Sequence, residues 1–192
     1  STNTEVVSSV VSDYLGSYTL DDTTYGTQTT VTLNGNTRNI VTNALPNHAT
    51  GAFPTTGNPN AISAQNNTYS FPLTPVYTGV AKETSQPGVA VNGVKFEPGT
   101  AETVDCTTGE QYRVEAFQDV LNLGLDFNNA HVQPTGAYHY HGVPEGVVDA
   151  VHTDQDLVHV GFARDGHLMY YSHSGEYTPS YVLGTQQRTG NN

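Results

Sequence analysis

Polar and apolar side chains alternate with a period of two along most of the chain beyond Asp126. The alternating segments are residues 131–133, 137–142, 157–164, 167–172 and 180–184. Such alternation is typical of strands that have one buried and one solvated face, and strands of this kind are common in antiparallel sheets. We therefore predict that antiparallel β-structure dominates the C-terminal half.

The first half of the chain carries different signals. Residues 29–33 and 37–42 flank Asn34-Gly35, a dipeptide that tolerates the positive φ angles of a tight turn, and this predicts a β-hairpin. Prolines recur at positions 46, 54, 59, 72 and 75, where the missing N–H prevents a continuous helix or a central strand. We expect ordered loops and short edge strands there, whereas residues 4–15 fit a helix and a strand equally well.

One longer helix is predicted after residue 113. Val114, Phe117, Val120 and Leu121 recur at helical spacing and Gly124 follows them, which indicates about three turns. Taken together, the patterns predict a mainly β fold. We expect a single antiparallel β domain, sandwich or barrel-like, with one or two short helices and long ordered loops.

The balance of charge excludes several classes of partner. The chain has six Lys and Arg residues and eighteen Asp and Glu residues, which gives a formal net charge of -12. Clustered basic residues, which nucleic acids and anionic membranes require, are therefore lacking, and no stretch is apolar enough for membrane insertion. Cys106 is the only cysteine, so no internal disulfide or paired-cysteine zinc site can form. Abundant Thr, Asn, Ser and Gly with few Lys predict a secreted protein.

Three of the eight histidines fall within eleven residues. His139 and His141 share one face of a strand because their spacing is two. If Pro134-Thr135-Gly136 forms a three-residue hairpin loop, His131 lies directly opposite His139, on the same face. A two- or four-residue loop would leave only the His139/His141 pair. Three neutral imidazoles within reach of one ion are typical of transition-metal sites, so these histidines are the predicted ligands.

Further residues are candidates for the surroundings of this site. The predicted register places Asn129 across from His141, and Asp126 could accept the free ring N–H of a ligand, as partners of metal-bound imidazoles do. His48 lies in an amide-rich loop that could line the site. Tyr138 and Tyr140 point away from the histidines and are expected in the core.

A second predicted hairpin turns at Asp165-Gly166. A two-residue turn would pair Arg164 with His167, so that His167 and His173 share one face and His159 takes the other. His167 and His173 are therefore further candidates to line the site.

The sequence Tyr138-His139-Tyr140-His141 is the signature of the YHYH domain family, and the chain resembles that family over roughly residues 40–184. Further resembling blocks are residues 43–48, 53–54, 57–60, 65, 69–73, 91–99, 125–131, 159–166 and 180–183. The resemblance implies a secreted or periplasmic protein in which the histidines are suspected to bind metal, without an assigned reaction. It also implies two parts packed as one globular unit, an N-terminal β extension of residues 1–39 and a YHYH-like domain of residues 40–192.

Two hypotheses for function follow. The first is a metal-binding protein with copper or zinc on His131, His139 and His141; an enzyme built on it would be a metal-dependent hydrolase or a copper oxidoreductase. His48, Asp126 or Glu145 could then act as the general acid or base. Calcium is a subsidiary cofactor candidate at Asp154, Asp156 and the Asp21-Asp22 pair. The second hypothesis is a metal-free extracellular module that recognises a polysaccharide or a matrix protein through its amide-rich loops and twelve tyrosines.

Overall fold

The computed structural model describes residues 14–105, 109, 111–150 and 155–177. Within them lie twelve strands and one short helix, so the prediction of a mainly β fold is confirmed. The strands are β1 (Tyr18–Asp22), β2 (Thr27–Asn34), β3 (Thr37–Thr42), β4 (Asn67–Pro72), β5 (Gly88–Ala90), β6 (Lys95–Phe96), β7 (Thr103–Asp105), β8 (Gln111–Arg113), β9 (Ala130–Val132), β10 (Tyr138–Tyr140), β11 (Leu157–Ala163) and β12 (Leu168–Ser172). The helix α1 spans Glu145–Ala150.

The strands form three sheets. The first contains β1-β2-β3-β4 in that order, the second contains β12-β11-β5-β6-β10-β9, and β7 pairs with β8. All neighbours are antiparallel except β6 and β10, which run parallel. Neither of the two larger sheets closes into a barrel within the described residues. The first sheet takes strands from both sides of residue 39, and the division of the chain at that residue stays a prediction.

One hydrophobic core joins the two larger sheets. Val31, Ile40 and Phe71 of the first sheet belong to the same buried cluster as Tyr140 and Phe162 of the second. Burying such side chains contributes roughly 1.5–3 kcal/mol each. The second sheet therefore holds one face of β10 against the core and leaves its other face for different contacts.

The β2–β3 hairpin is confirmed, with a turn one residue later than the dipeptide suggested. Asn34 pairs with Thr37, so Gly35 and Asn36 form the two-residue loop, and Gly35 has a φ of 58°. The proline-rich stretch also behaves as predicted. Between Pro46 and Asn67 the chain has no regular element, and β4 then forms an edge of the first sheet.

The helix predicted over Val114–Leu121 is wrong. Bends and turns occupy residues 117–121, Asp119 has a φ of 55°, and the Glu115 carboxylate accepts the Phe117 N–H at 2.8 Å. Val114 instead donates its N–H to the Glu102 carbonyl, continuing the pairing of β7 with β8. The four apolar residues do not form one buried face, since Phe117 is 48% exposed and Leu121 is 40% exposed.

The register predicted for the last hairpin is also wrong. Ala163 N–H donates to the His167 carbonyl, so the loop has three residues, and Gly166 at its end has a φ of 99°. A bulge between His159 and Gly161 then shifts the pairing again. The sequence predicts a two-residue turn because Asp-Gly is common in such turns. In the structure Gly166 instead takes the positive φ at the third position of a three-residue loop. Residues 4–13 and 180–184, for which structure was also predicted, lie outside the described residues.

His159 on β11 gives the fold a dependence on pH. It is 1% exposed, its Nε2 bonds to the Gly161 carbonyl at 2.9 Å, and burial lowers its pKa to about 4. In unfolded chains the same imidazole takes up a proton near pH 6.5, so the unfolded state binds more protons between pH 6.5 and 4. The contribution of this difference to the free energy of unfolding is therefore complete above pH 6.5. It decreases as the pH falls from 6.5 to 4.

We expect the metal-free protein to lose about 3 kcal/mol through His159 between pH 6.5 and pH 4. The measurement is the free energy of unfolding against pH for the chelator-treated protein and for His159→Gln. The variant should lose about 3 kcal/mol less over the same interval. Identical pH profiles would show that His159 titrates in the same way in both states.

Candidate metal centre

The β9–β10 hairpin brings the three predicted histidines together. Its loop is Pro134–Gly136, closed by the Gln133 N–H donating to the Ala137 carbonyl at 3.0 Å, and Gly136 has a φ of 83° that favours glycine. The pairing is His139 with His131, as the three-residue loop required. His139 and His141 share a face of β10, and His131 comes alongside from β9.

The three imidazoles point their Nε2 atoms at one another. His141 Nε2 lies 3.1 Å from His131 Nε2 and 3.0 Å from His139 Nε2. The ring centroids are 4.7–4.8 Å apart. One ligand atom from each residue lies within 4.8 Å of the others, so the histidine triad, His131, His139 and His141, is a group that could hold a metal ion.

The other nitrogen of each ring faces a backbone carbonyl. His131 Nδ1 bonds to the Leu123 carbonyl at 2.6 Å, His139 Nδ1 to the Ala137 carbonyl at 3.3 Å, and His141 Nδ1 to the Pro98 carbonyl at 3.3 Å. A carbonyl accepts only, so in neutral rings with these bonds Nδ1 carries the proton and Nε2 keeps its lone pair. Three lone pairs then converge on one point.

Burial favours the neutral form of His139 and His141. His139 is 2% and His141 6% exposed. Burial lowers the pKa of His139 to about 3, assisted by repulsion from His131 and His141. Burial also lowers the pKa of His141, with repulsion from His131 as the next cause. At neutral pH both imidazoles are therefore uncharged, which is the form that binds metals.

The triad opens onto a cleft of about 920 Å³. One wall is the loop of residues 97–102, whose Pro98 carbonyl holds His141. Asn58 and Asn60 stand on another side, and each donates a side-chain N–H to the Val132 carbonyl at 2.8 Å. An ion on the triad would therefore have three protein ligands and one side open to the cleft.

Next to His139 lies a small polar network. Lys95 pairs with His139 in the register of β6 and β10, and its Nζ lies 2.5 Å from Glu97 Oε2 and 2.8 Å from Gln133 Oε1. Gln133 closes the network by donating its Nε2–H to Glu97 Oε2 at 2.9 Å. The network connects β6 with the end of β9, the two strands that flank β10 and its His139.

The structure places Asp126 on the opposite face of the hairpin, which corrects its predicted contact with a ligand ring. Its Oδ2 accepts the Tyr138 hydroxyl at 2.7 Å and the Gly51 N–H at 2.9 Å, while Oδ1 accepts the Asn128 N–H at 2.9 Å. Tyr138 points away from the triad because it alternates with His139 on β10. Asp126 therefore anchors the hairpin to the loop before it.

His48 also lies on the tyrosine face and not on the triad. Its Nε2 bonds to the Tyr140 hydroxyl at 2.6 Å, and that hydroxyl also accepts the Asn92 side-chain N–H at 2.9 Å. Tyr138 and Tyr140 are 1% and 0% exposed, as expected for core residues. His48 is thus part of the packing behind the site.

The remaining candidates do not join the triad. Asn129 accepts the His141 N–H through its own carbonyl at 2.8 Å, in the predicted position, but its side chain bonds to the Val143 carbonyl. His167 lies at the exposed tip before β12, where it pairs with Asp165, and His173 follows the end of β12. Strands β12 and β10 are four inter-strand steps apart, about 19 Å at roughly 4.8 Å a step. Neither His167 nor His173 therefore lines the site.

The acidic candidates stand apart from the site as well. Glu145 is exposed at the start of α1. Asp22 accepts the Thr24 N–H in a turn, and Asp156 accepts the Ser172 hydroxyl and the Ser174 N–H. Asp154 lies outside the described residues. Among the residues that the structure describes, the triad is the one group of three or more histidine, cysteine or acidic side chains arranged to hold an ion.

Sequence reasoning missed the carbonyls that orient the rings. The rings are held by the backbone carbonyls of Leu123, Ala137 and Pro98. Every residue has such a carbonyl, so no pattern of side chains predicts which ones bond to the rings. The backbone path alone decides which carbonyl comes within reach.

Comparisons with known proteins identify the domain. A family model described as YHYH protein matches residues 68–188, which is more than half of the 192 residues and includes the triad. No curated protein and no solved structure matches the chain. No helix among the described residues is long and apolar enough to cross a membrane.

Proposed function

We propose that this chain, which belongs to the YHYH protein family, binds one transition-metal ion through Nε2 of His131, His139 and His141. One observation carries the proposal: three Nε2 atoms converge while every Nδ1 is committed to a backbone carbonyl. Without a cation, the three lone pairs would repel one another in a buried setting. A proton could relieve this repulsion, but burial opposes protonation of His139 and His141.

The donor set fits zinc or copper. Imidazole nitrogen suits both metals, and zinc binds it at about 2.0–2.1 Å. At a tetrahedral centre those bonds separate the nitrogens by about 3.3 Å, a few tenths of an ångström more than the 3.0 and 3.1 Å observed.

The open cleft favours a reactive site over a purely structural one. Structural zinc sites are closed by four protein ligands, whereas catalytic sites keep one position open. When bound, zinc would supply Lewis-acid activation of water and copper a one-electron redox centre. We accordingly propose a metal-dependent hydrolase or a copper oxidoreductase. In either, the backbone carbonyls orient the rings and the Lys95–Glu97–Gln133 network supports the wall beside His139.

A secreted or periplasmic location is part of the proposal. It rests on a composition rich in Thr, Asn, Ser and Gly with few Lys. The net charge of -12 favours cations near the surface at low ionic strength.

Titration calorimetry of chelator-treated protein with Zn²⁺ and with Cu²⁺ tests the proposal. We expect one site for at least one of the two ions, with few protons released from His139 and His141 near pH 7 because burial already keeps both neutral. A protein that binds neither ion would favour the other hypothesis, a metal-free module for polysaccharide or matrix proteins.

A further inference from the structure

The loop that holds His141 carries a carboxylate at each end. Glu97 begins it and Glu102 ends it, and the Pro98 carbonyl between them accepts the His141 ring N–H. Both side chains line the cleft in front of the triad. The triad therefore shares its cleft with these two groups.

The charges that line the cleft are mostly negative. Among the described residues, four carboxylates line it, Glu83, Glu97, Glu102 and Glu115, against the guanidinium of Arg113. Lys95 adds a second cation but pairs with Glu97. Four negative charges against two positive ones leave an excess of two.

Arg113 does not neutralise the remaining carboxylates. Its Nη1 donates to the Thr100 carbonyl at 2.9 Å, and within the described residues it forms no ion pair with an acidic side chain. Glu102 is exposed, and its Oε2 accepts the Ala101 N–H at 3.1 Å. The uncharged groups of the lining, among them Asn60, Gln133 and Thr135, offer amides and a hydroxyl.

These carboxylates and the triad belong to one cleft. Glu97 and Glu102 line it together with the three histidines, and the carbonyl of Pro98, next to Glu97, accepts the His141 ring N–H at 3.3 Å. A negative charge near the open metal position destabilises a second negative charge there.

We propose that the carboxylates of this cleft make the open metal position selective for uncharged or positively charged ligands, and against anions such as phosphate, sulfate and carboxylate compounds. The inference rests on the proposed function, because the triad must hold the ion that the ligand reaches. Amine- or hydroxyl-bearing compounds are the class that fits both the charge and the amide-rich lining.

Exogenous ligands of the Cu²⁺-loaded protein provide the test. Azide is an anion and imidazole is neutral, and the binding of each changes the visible absorption of the copper centre. In Glu102→Gln we expect the azide Kd to fall about three- to tenfold because one negative charge leaves the cleft, and to fall further in Glu83→Gln/Glu102→Gln. The imidazole Kd should change less than twofold.

The matched control is Glu176→Gln, which removes the same charge from an exposed residue after β12. It should leave both Kd values unchanged, and 0.5 M salt should shrink the effect of Glu102→Gln. Equal changes for azide and imidazole, or none for either, would overturn the inference while leaving metal binding intact. A protein that takes up no copper or other ion would overturn the proposed function as well.

Discussion

His139→Ala is expected to weaken zinc or copper binding by more than about 100-fold. Removing a residue that only hydrogen-bonds to a metal ligand costs up to about 100-fold in metal affinity, and the loss of a ligand itself should cost more. His139 is the most buried residue of the triad and lies between His131 and Lys95 in the sheet register. Its loss leaves two imidazoles, and no other described histidine or acidic side chain is placed to replace it. Titration calorimetry of the chelator-treated variant measures the effect.

His167→Ala is the matched control, because it removes an exposed imidazole at the far edge of the same sheet. It should bind metal as the unmodified protein does. If both variants lost affinity equally, or if His139→Ala kept it, the ion would be bound elsewhere.

Asp126→Ala is expected to lower the free energy of unfolding by about 3 kcal/mol, since hydrogen bonds to charged groups contribute roughly 1.5–3 kcal/mol each and do not add fully. The carboxylate accepts bonds from Gly51, Asn128 and Tyr138. Its removal leaves the hydroxyl of Tyr138 without that acceptor next to the core. Denaturant unfolding measures the loss, with Asp149→Ala, an exposed aspartate on α1, as the control.

The metal affinity of Asp126→Ala distinguishes the position of Asp126 in the structure from the one predicted from the sequence. Because the carboxylate lies on the tyrosine face, the folded variant should keep its metal affinity within about threefold. A loss of 10- to 100-fold, typical of a partner that orients a ligand ring, would support the position predicted from the sequence instead.

The hairpin of the site could be predicted because every step of the argument was local. The period of two places His139 and His141 together, and a three-residue loop with glycine at its third position sets His131 opposite His139. Both features depend on neighbouring residues, which a sequence shows directly.

Contacts between distant segments could not be predicted in the same way. Asp126 has hydrogen-bonding capacity for either face of the hairpin, and only the path of the loop that contains Gly51 decides which face it serves. The bulge at His159 is a further case, since it shifts the register of β11 against β12 while the local pattern stays alternating. The predicted helix after residue 113 failed because tertiary pairing of Val114 with Glu102 outweighs a spacing of four apolar residues.

X-ray absorption spectroscopy of the zinc- or copper-loaded protein tests the central claim most directly, because it counts and identifies the atoms around the ion. The account predicts three imidazole nitrogens at about 2.0–2.1 Å, with the multiple-scattering signature of imidazole rings. A sulfur neighbour, fewer than three imidazoles, or a protein that retains no ion after loading would contradict it.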